Sequence, residues 1–255
     1  MKKTLLVAVA SIAVSAGAFA QTNAFDFGAN YGGGGEPGWT NGANAGFGFG
    51  AWTITSSAGT GFASPFIGNP ASGGITGMST ESFGLAANAQ GSGATVTAAR
   101  SLSTALQVGE TFSLQWGINW DGDNGANGNK GFNLLVGGVQ VVNVNNGGNS
   151  DIGLNGVNTG FAFGTNAMTW SFFYSDASTL SVTGTARDLG TSFTTNVTVS
   201  GGVSSFSLYA SELGAGDQRQ PYFNDLQVVP EPSTYALLAL GAAGLGAHLI
   251  RRRRR

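Results

Sequence analysis

Residues 111–120 constrain the fold more than any other stretch. Phe112, Leu114, Trp116, Ile118 and Trp120 alternate with Thr111, Ser113, Gln115, Gly117 and Asn119. A period of two places the large apolar side chains on one face of a strand and the polar ones on the other, which a helix of 3.6 residues per turn cannot do. Met168, Trp170, Phe172 and Tyr174 repeat the pattern, and shorter versions occupy residues 95–102, 132–136, 139–144, 180–186, 194–199, 204–209 and 225–229. Between them lie Gly, Asn and Asp clusters such as residues 145–149, whose side chains tolerate the positive φ of tight turns.

No segment between residues 21 and 229 offers ten or more positions at helical spacing with recognisable caps; a short turn of helix is expected only at residues 84–90. The expected fold is therefore all-β, an antiparallel β-sandwich or jelly roll. The absence of a fixed-period repeat argues against a solenoid or propeller. The first ninety residues of that span, 21–110, are less regular. The glycine-rich segments 32–35 and 46–50 and the stretch 56–77 read as long loops around isolated strands such as residues 52–55. No linker or charge shift marks a boundary, so residues 21–229 are taken as one domain. The ending Ser204-Ser205-Phe206-Ser207-Leu208-Tyr209, followed by Tyr222-Phe223-Asn224-Asp225-Leu226, resembles the last strands of concanavalin-like sandwiches.

With 43 glycines and 9% charged residues the chain invites a disordered reading, but 11% aromatics in alternating runs supply the apolar area that disordered chains lack. Lys2, Lys3 and Arg251 to Arg255 account for most of the basic residues. Residues 21–229 hold four basic residues (Arg100, Lys130, Arg187, Arg219) against twelve acidic ones, a net charge of −8. Nothing there can release counterions from a phosphate backbone, so nucleic acid is not an expected partner. There is no cysteine, which an exported domain able to bury its own core tolerates.

Residues 1–20 read as a signal peptide: Lys2 and Lys3, an apolar stretch over residues 5–14, then Ala18-Phe19-Ala20. Signal peptidase accepts small side chains such as Ala18 and Ala20, and cleavage leaves Gln21 first. The alternative, an uncleaved anchor, fits the short apolar stretch less well. At the other end Val229-Pro230-Glu231-Pro232-Ser233 precedes an apolar run over residues 235–250, followed by Arg251, Arg252, Arg253, Arg254 and Arg255. As a helix, that run is about 24 Å long, slightly short for a hydrocarbon core of about 30 Å; snorkelling arginines and the interfacial Tyr235 cover the deficit. The arginines stay cytoplasmic by the positive-inside rule, with everything upstream outside. Both ends give one topology.

The Pro230-Glu231-Pro232 element, membrane helix and terminal arginine run together resemble the PEP-CTERM sorting signal of Gram-negative bacteria. The resemblance covers residues 230–255. It implies that an exosortase, a membrane transpeptidase of cysteine-protease type, recognises Pro230-Glu231-Pro232 and removes the tail. It further implies a passage through the inner membrane with the body in the periplasm, release to the cell surface or medium, and an association with exopolysaccharide and biofilm matrix.

The one histidine is His248, within the apolar tail. Residues 21–229 therefore lack Ser-His-Asp and Cys-His catalysis and the usual zinc ligands. Paired carboxylates remain possible, as glycoside hydrolysis requires, but no motif singles out a pair among Glu36, Glu81, Glu110 and Glu212; solvated loop carboxylates are the simpler reading. The loop Asp121-Gly122-Asp123-Asn124-Gly125 has the oxygen-rich composition calcium prefers, with Asp121 and Asp123 as candidate ligands. It fails as an EF-hand: the fifth position is Gly125, the twelfth is Phe132, and Lys130 opposes a cation. Trp120 beside this loop could stack on a sugar ring, although alternation assigns it to the core; Trp39 and Trp52 remain unassigned. No catalytic residue and no cofactor is assigned. The expected function is that of a non-enzymatic exported surface or matrix protein with weak carbohydrate affinity, the rival being a secreted carbohydrate-active enzyme with paired carboxylates.

Overall fold

Alternation becomes strand pairing in the computed structural model, which describes residues 22–32, 38–88, 91–119, 128–147, 151–162, 164–186 and 192–231. Fifteen strands follow in chain order among these residues: β1 (Ala24–Asp26), β2 (Thr53–Ser57), β3 (Phe62–Gly68), β4 (Ser82–Asn88), β5 (Thr95–Ser101), β6 (Glu110–Gly117), β7 (Asn129–Val136), β8 (Val139–Asn146), β9 (Asp151–Leu154), β10 (Val157–Ala162), β11 (Met168–Asp176), β12 (Thr179–Ala186), β13 (Ser192–Thr198), β14 (Ser205–Ser211) and β15 (Tyr222–Pro230). They form two sheets. The first runs β13-β12-β11-β6-β15-β4-β3, with β1 also on β15, and the second runs β10-β9-β8-β7-β14-β5-β2. Every pairing of strands is antiparallel.

The core forms where the alternating faces meet. In the first sheet Leu114 lies opposite Trp170 and Phe112 opposite Phe172; all four side chains are fully buried. The second sheet answers with Phe132 and Leu134 of β7 and Phe206 and Leu208 of β14. Aromatic rings cross the interface at angles that suit their quadrupoles: Phe132 meets Trp116 edge-on at 5.7 Å and Phe172 at 5.8 Å, and Phe112 meets Phe206 at 5.2 Å. This packing makes the fold an antiparallel β-sandwich.

One ion pair is enclosed with the apolar side chains. Arg100 on β5 bonds Asp26 on β1, and both side chains are fully buried. Charges in such a place need every lone pair and proton engaged. Asp26 also accepts from Asn30 Nδ2 at 2.9 Å and the Tyr31 hydroxyl at 2.8 Å, while Arg100 donates to Gly50 O and Asn44 Oδ1 and lies over the Phe49 and Trp52 rings at 5.1 and 5.2 Å. Burial, the Asp26 charge and the hydrogen bond to it raise the Tyr31 pKa.

The irregular N-terminal third is built into both sheets. The segment 56–77, expected as loop, contains β3, an edge strand where Pro65 removes no ladder hydrogen bond the sheet needs. The short helix expected at residues 84–90 is instead mostly β4. Phe83, Leu85, Ala86 and Ala87 are all buried, and a strand covered on both faces reads as a continuous apolar run, which periodicity alone cannot tell from helix. β9 and β10 join through Asn155-Gly156, at φ 50° and 78°, the left-handed pair that a two-residue hairpin turn requires.

Candidate functional site

The last strand delivers the Pro-Glu-Pro element directly from the sandwich. On one side of β15, Ala24 of β1 pairs with Val228; on the other, Thr111 and Glu110 of β6 lie opposite Val229 and Pro230. Pro230, lacking an N–H, fits the end of a strand. Pairing continues one residue further: the Glu231 amide donates to Gly109 O at 2.8 Å, and Thr111 Oγ1 donates to Glu231 Oε1 at 3.1 Å. Gly109 adopts φ +87°, a conformation open to glycine, and its own amide bonds Tyr174 O at 2.8 Å. Pro230 thus ends β15, and Glu231 is hydrogen-bonded just beyond it to Gly109 and Thr111.

Beside this strand end lies a groove of about 290 Å³, lined among others by Asn23, Phe47, Ser103, Thr104, Glu110 and Val228. Phe47 is 58% exposed, an uncommon position for such a ring. Two hydrogen bonds of 2.9 Å pair its backbone with that of Phe25, and the Phe25 ring stands 5.9 Å away. The Glu110 carboxylate accepts from Asn23 Nδ2 at 2.5 Å and from the Gln107 amide at 2.8 Å. An exposed aromatic ring therefore lines the same groove as a hydrogen-bonded carboxylate, an amide and two hydroxyls.

The outward face of the second sheet carries amides and hydroxyls in place of charge. Asn143 Nδ2 donates to Asn133 Oδ1 at 2.8 Å and to the Tyr209 hydroxyl at 2.9 Å, and Asn133 Nδ2 donates to Ser207 Oγ at 3.1 Å. Burial pushes the Tyr209 pKa up to about 12, the Asn143 hydrogen bond opposing it. The side chains of this ladder bond one another across the sheet, whereas the groove offers an exposed ring.

Of the residues singled out from sequence, Pro230 and Glu231 sit on the strand end just described. Ala18, Ala20, Glu36, Trp120, Asp121, Asp123, Pro232, His248, Arg251 to Arg255 and the apolar run 235–250 lie outside the described residues. Trp39 and Trp52 are core residues, 5.4 Å apart and edge-on. The acids are dispersed: Glu81 precedes β4, Glu212 follows β14 and accepts from the Gly93 amide at 2.9 Å, and Glu110 borders the groove. Among the described residues no three His, Cys, Asp or Glu side chains gather as metal ligands would, and no helix is long and apolar enough to cross a membrane. Sequence reasoning missed Phe47. Its signal was weak, a phenylalanine between glycines in Gly46-Phe47-Gly48-Phe49-Gly50, where Phe49 is buried and Phe47 is not.

Comparison with known proteins adds one assignment and a set of distant folds. No curated protein matches the chain in sequence. Among solved structures, a sialidase aligns with a TM-score of 0.43 at 9% identity over 72% of this chain and 17% of its own. The VIP36 exoplasmic/lumenal domain, in a Ca2+/Man3GlcNAc-bound form, gives 0.38 at 10% identity over 70% and 83%. The ligand-binding domain of botulinum neurotoxin serotype D, in complex with N-acetylneuraminic acid, gives 0.36 at 8% identity over 74% and 46%. The chain thus spans a small part of the sialidase and less than half of the toxin domain. Residues 228–255 match the model of the PEP-CTERM protein-sorting motif. That match begins within β15, takes in Pro230, Glu231 and Pro232 and ends with the arginine run, so the chain carries a PEP-CTERM sorting motif over residues 228–255.

Proposed function

We propose that the protein is a non-enzymatic cell-surface or matrix component that an exosortase sorts by its tail and whose sandwich binds neutral glycans weakly through the Phe47 groove. The sorting motif supports export to the cell surface. The observation that carries the glycan reading is the exposed Phe47 ring, on a backbone paired twice with Phe25, in one groove with Asn23, Glu110, Ser103 and Thr104. Small-ligand sites combine an apolar surface with a few fixed polar groups; a sugar's C–H face suits the ring and its hydroxyls suit the rest. A body of net charge −8 disfavours polyanions, so the ligand class is neutral. The role needs no cofactor. Association with exopolysaccharide, and a transient stage with the tail in the inner membrane, belong to this proposal.

Two features weigh against the rival carbohydrate-active enzyme. Glu110 is the one acid among the groove's lining residues, whereas glycoside hydrolysis uses two facing carboxyls. Glu231 is close in the pairing but bonds Thr111, and successive residues of β6 point to opposite faces of the sheet. The test is titration of the purified body with neutral oligosaccharides, followed by NMR. Phe47→Ala should weaken binding at least about fivefold, while Phe62→Ala, which removes another ring 58% exposed, should leave it unchanged. Equal binding by all three proteins would remove the groove from the reading. Intact mass with and without an active exosortase tests the sorting half: the tail should be lost only when the enzyme is active.

A further inference from the structure

We propose that Gly109 and Thr111 are positioning residues for sorting: they hold Pro230 and Glu231 as the last rung of the sheet, so that the tail is cut only after this rung opens. The inference rests on the reading that an exosortase acts at Pro230-Glu231-Pro232. A protein that recognises an extended segment does so largely through its backbone groups, in the manner of an added strand. Here the Glu231 amide already donates to Gly109 O, and its carboxylate already accepts from Thr111 Oγ1. Enzyme and body therefore compete for the same groups.

The extent of opening is limited by what lies upstream. Val228 is flanked on both sides, its carbonyl accepting from the Asn23 amide at 2.8 Å, and Phe223, Leu226 and Val228 are buried in the sandwich. Peeling past Val228 would expose core, but residues 229–231 can lift off alone, as strand ends do at the low-stability limit of a fold. Glu231 itself is exposed, which leaves room for a partner to arrive. Between the last buried residue of β15 and the motif there is only Val229, so no spacer holds the motif away from the body. Folding of the sandwich thereby sets how often the motif is free.

Two variants open the rung by independent means. Thr111→Val keeps the side-chain shape and removes the hydrogen bond to Glu231, and a Gly-Ser-Gly-Ser insertion between Val229 and Pro230 moves the whole motif off β6. In cells with an active exosortase, pulse-chase of tail loss should show both variants processed faster than the parent, by roughly two- to tenfold as expected for one or two exposed hydrogen bonds. Melting temperatures measured alongside should stay within a few degrees of the parent, separating local release from general unfolding. Equal rates in all three proteins would overturn the gate, as would slower processing of the variants, since pairing would then present the motif. If the parent and both variants keep their tails, the failure lies with exosortase processing itself.

Discussion

Tyr209 bonds to Asn143, whose other amide hydrogen reaches Asn133, and no apolar pattern in the sequence marks the ladder because its members come from β7, β8 and β14. The pH consequence follows from the sign of the shift. The hydroxyl loses its proton near pH 10 in the unfolded chain and near 12 in the fold, so folding favours the protonated form. This contribution is fully present below pH 10 and is lost between pH 10 and 12, amounting to about 3 kcal/mol at most. Tyr209→Phe should flatten that part of the stability curve, measured by urea melts at pH 9 to 12. A parallel decline in both proteins would assign the loss to Tyr31 or Tyr222, whose pKa values burial also raises. The Asp26 and Arg100 pair was equally hidden in the sequence: each is an ordinary charged residue until β1 and β5 bring them together across 74 positions.

At the scale of elements, what was legible depended on having one wet face. β6, β11, β12 and β14 alternate polar residues with large buried apolar ones, and the period of two gives each to within a few residues of its ends. β4 has no such face, and β3 is interrupted by Pro65, so neither showed the period of two. The strand β15 was also legible, yet its continuation into the sorting motif was not, because the register that puts Glu231 against Gly109 is a property of β6 and β15 together. The same distinction predicts tolerance to substitution. Phe132 touches Trp116, Trp170 and Phe172 across the two sheets, and Phe132→Ala should cost about 3 to 5 kcal/mol. Phe62 on the edge strand is largely exposed, and Phe62→Ala should stay within about 0.5 kcal/mol. Denaturant midpoints of the two variants measure the difference; similar losses would show that β3 is as much a part of the core as β7.

For the whole molecule, the scarcity of basic residues turns a protease into a probe of cooperativity. Between residues 21 and 229 trypsin can cut only after Arg100, Lys130, Arg187 and Arg219. Arg100 is 2% and Lys130 1% exposed, on inner strands of the second sheet flanked by β14, and a protease needs its substrate segment locally unfolded. Arg219, by contrast, belongs to a short 3-10 turn, Asp217–Arg219, between β14 and β15. Native protein should therefore be cut after Arg219 early, while cleavage after Arg100 and Lys130 waits for global opening. When opening and closing are fast, the rate at those two sites follows the unfolded population, so a variant weakened by about 1.4 kcal/mol should be cut there about tenfold faster. Phe132→Ala should then accelerate cleavage after Arg100 and after Lys130 by the same factor, because the aromatic contacts across the interface couple the sheets. Unequal factors, read by mass spectrometry of the fragments over time, would mean that parts of the second sheet open separately, and the cooperative core inferred from ring packing would be divided.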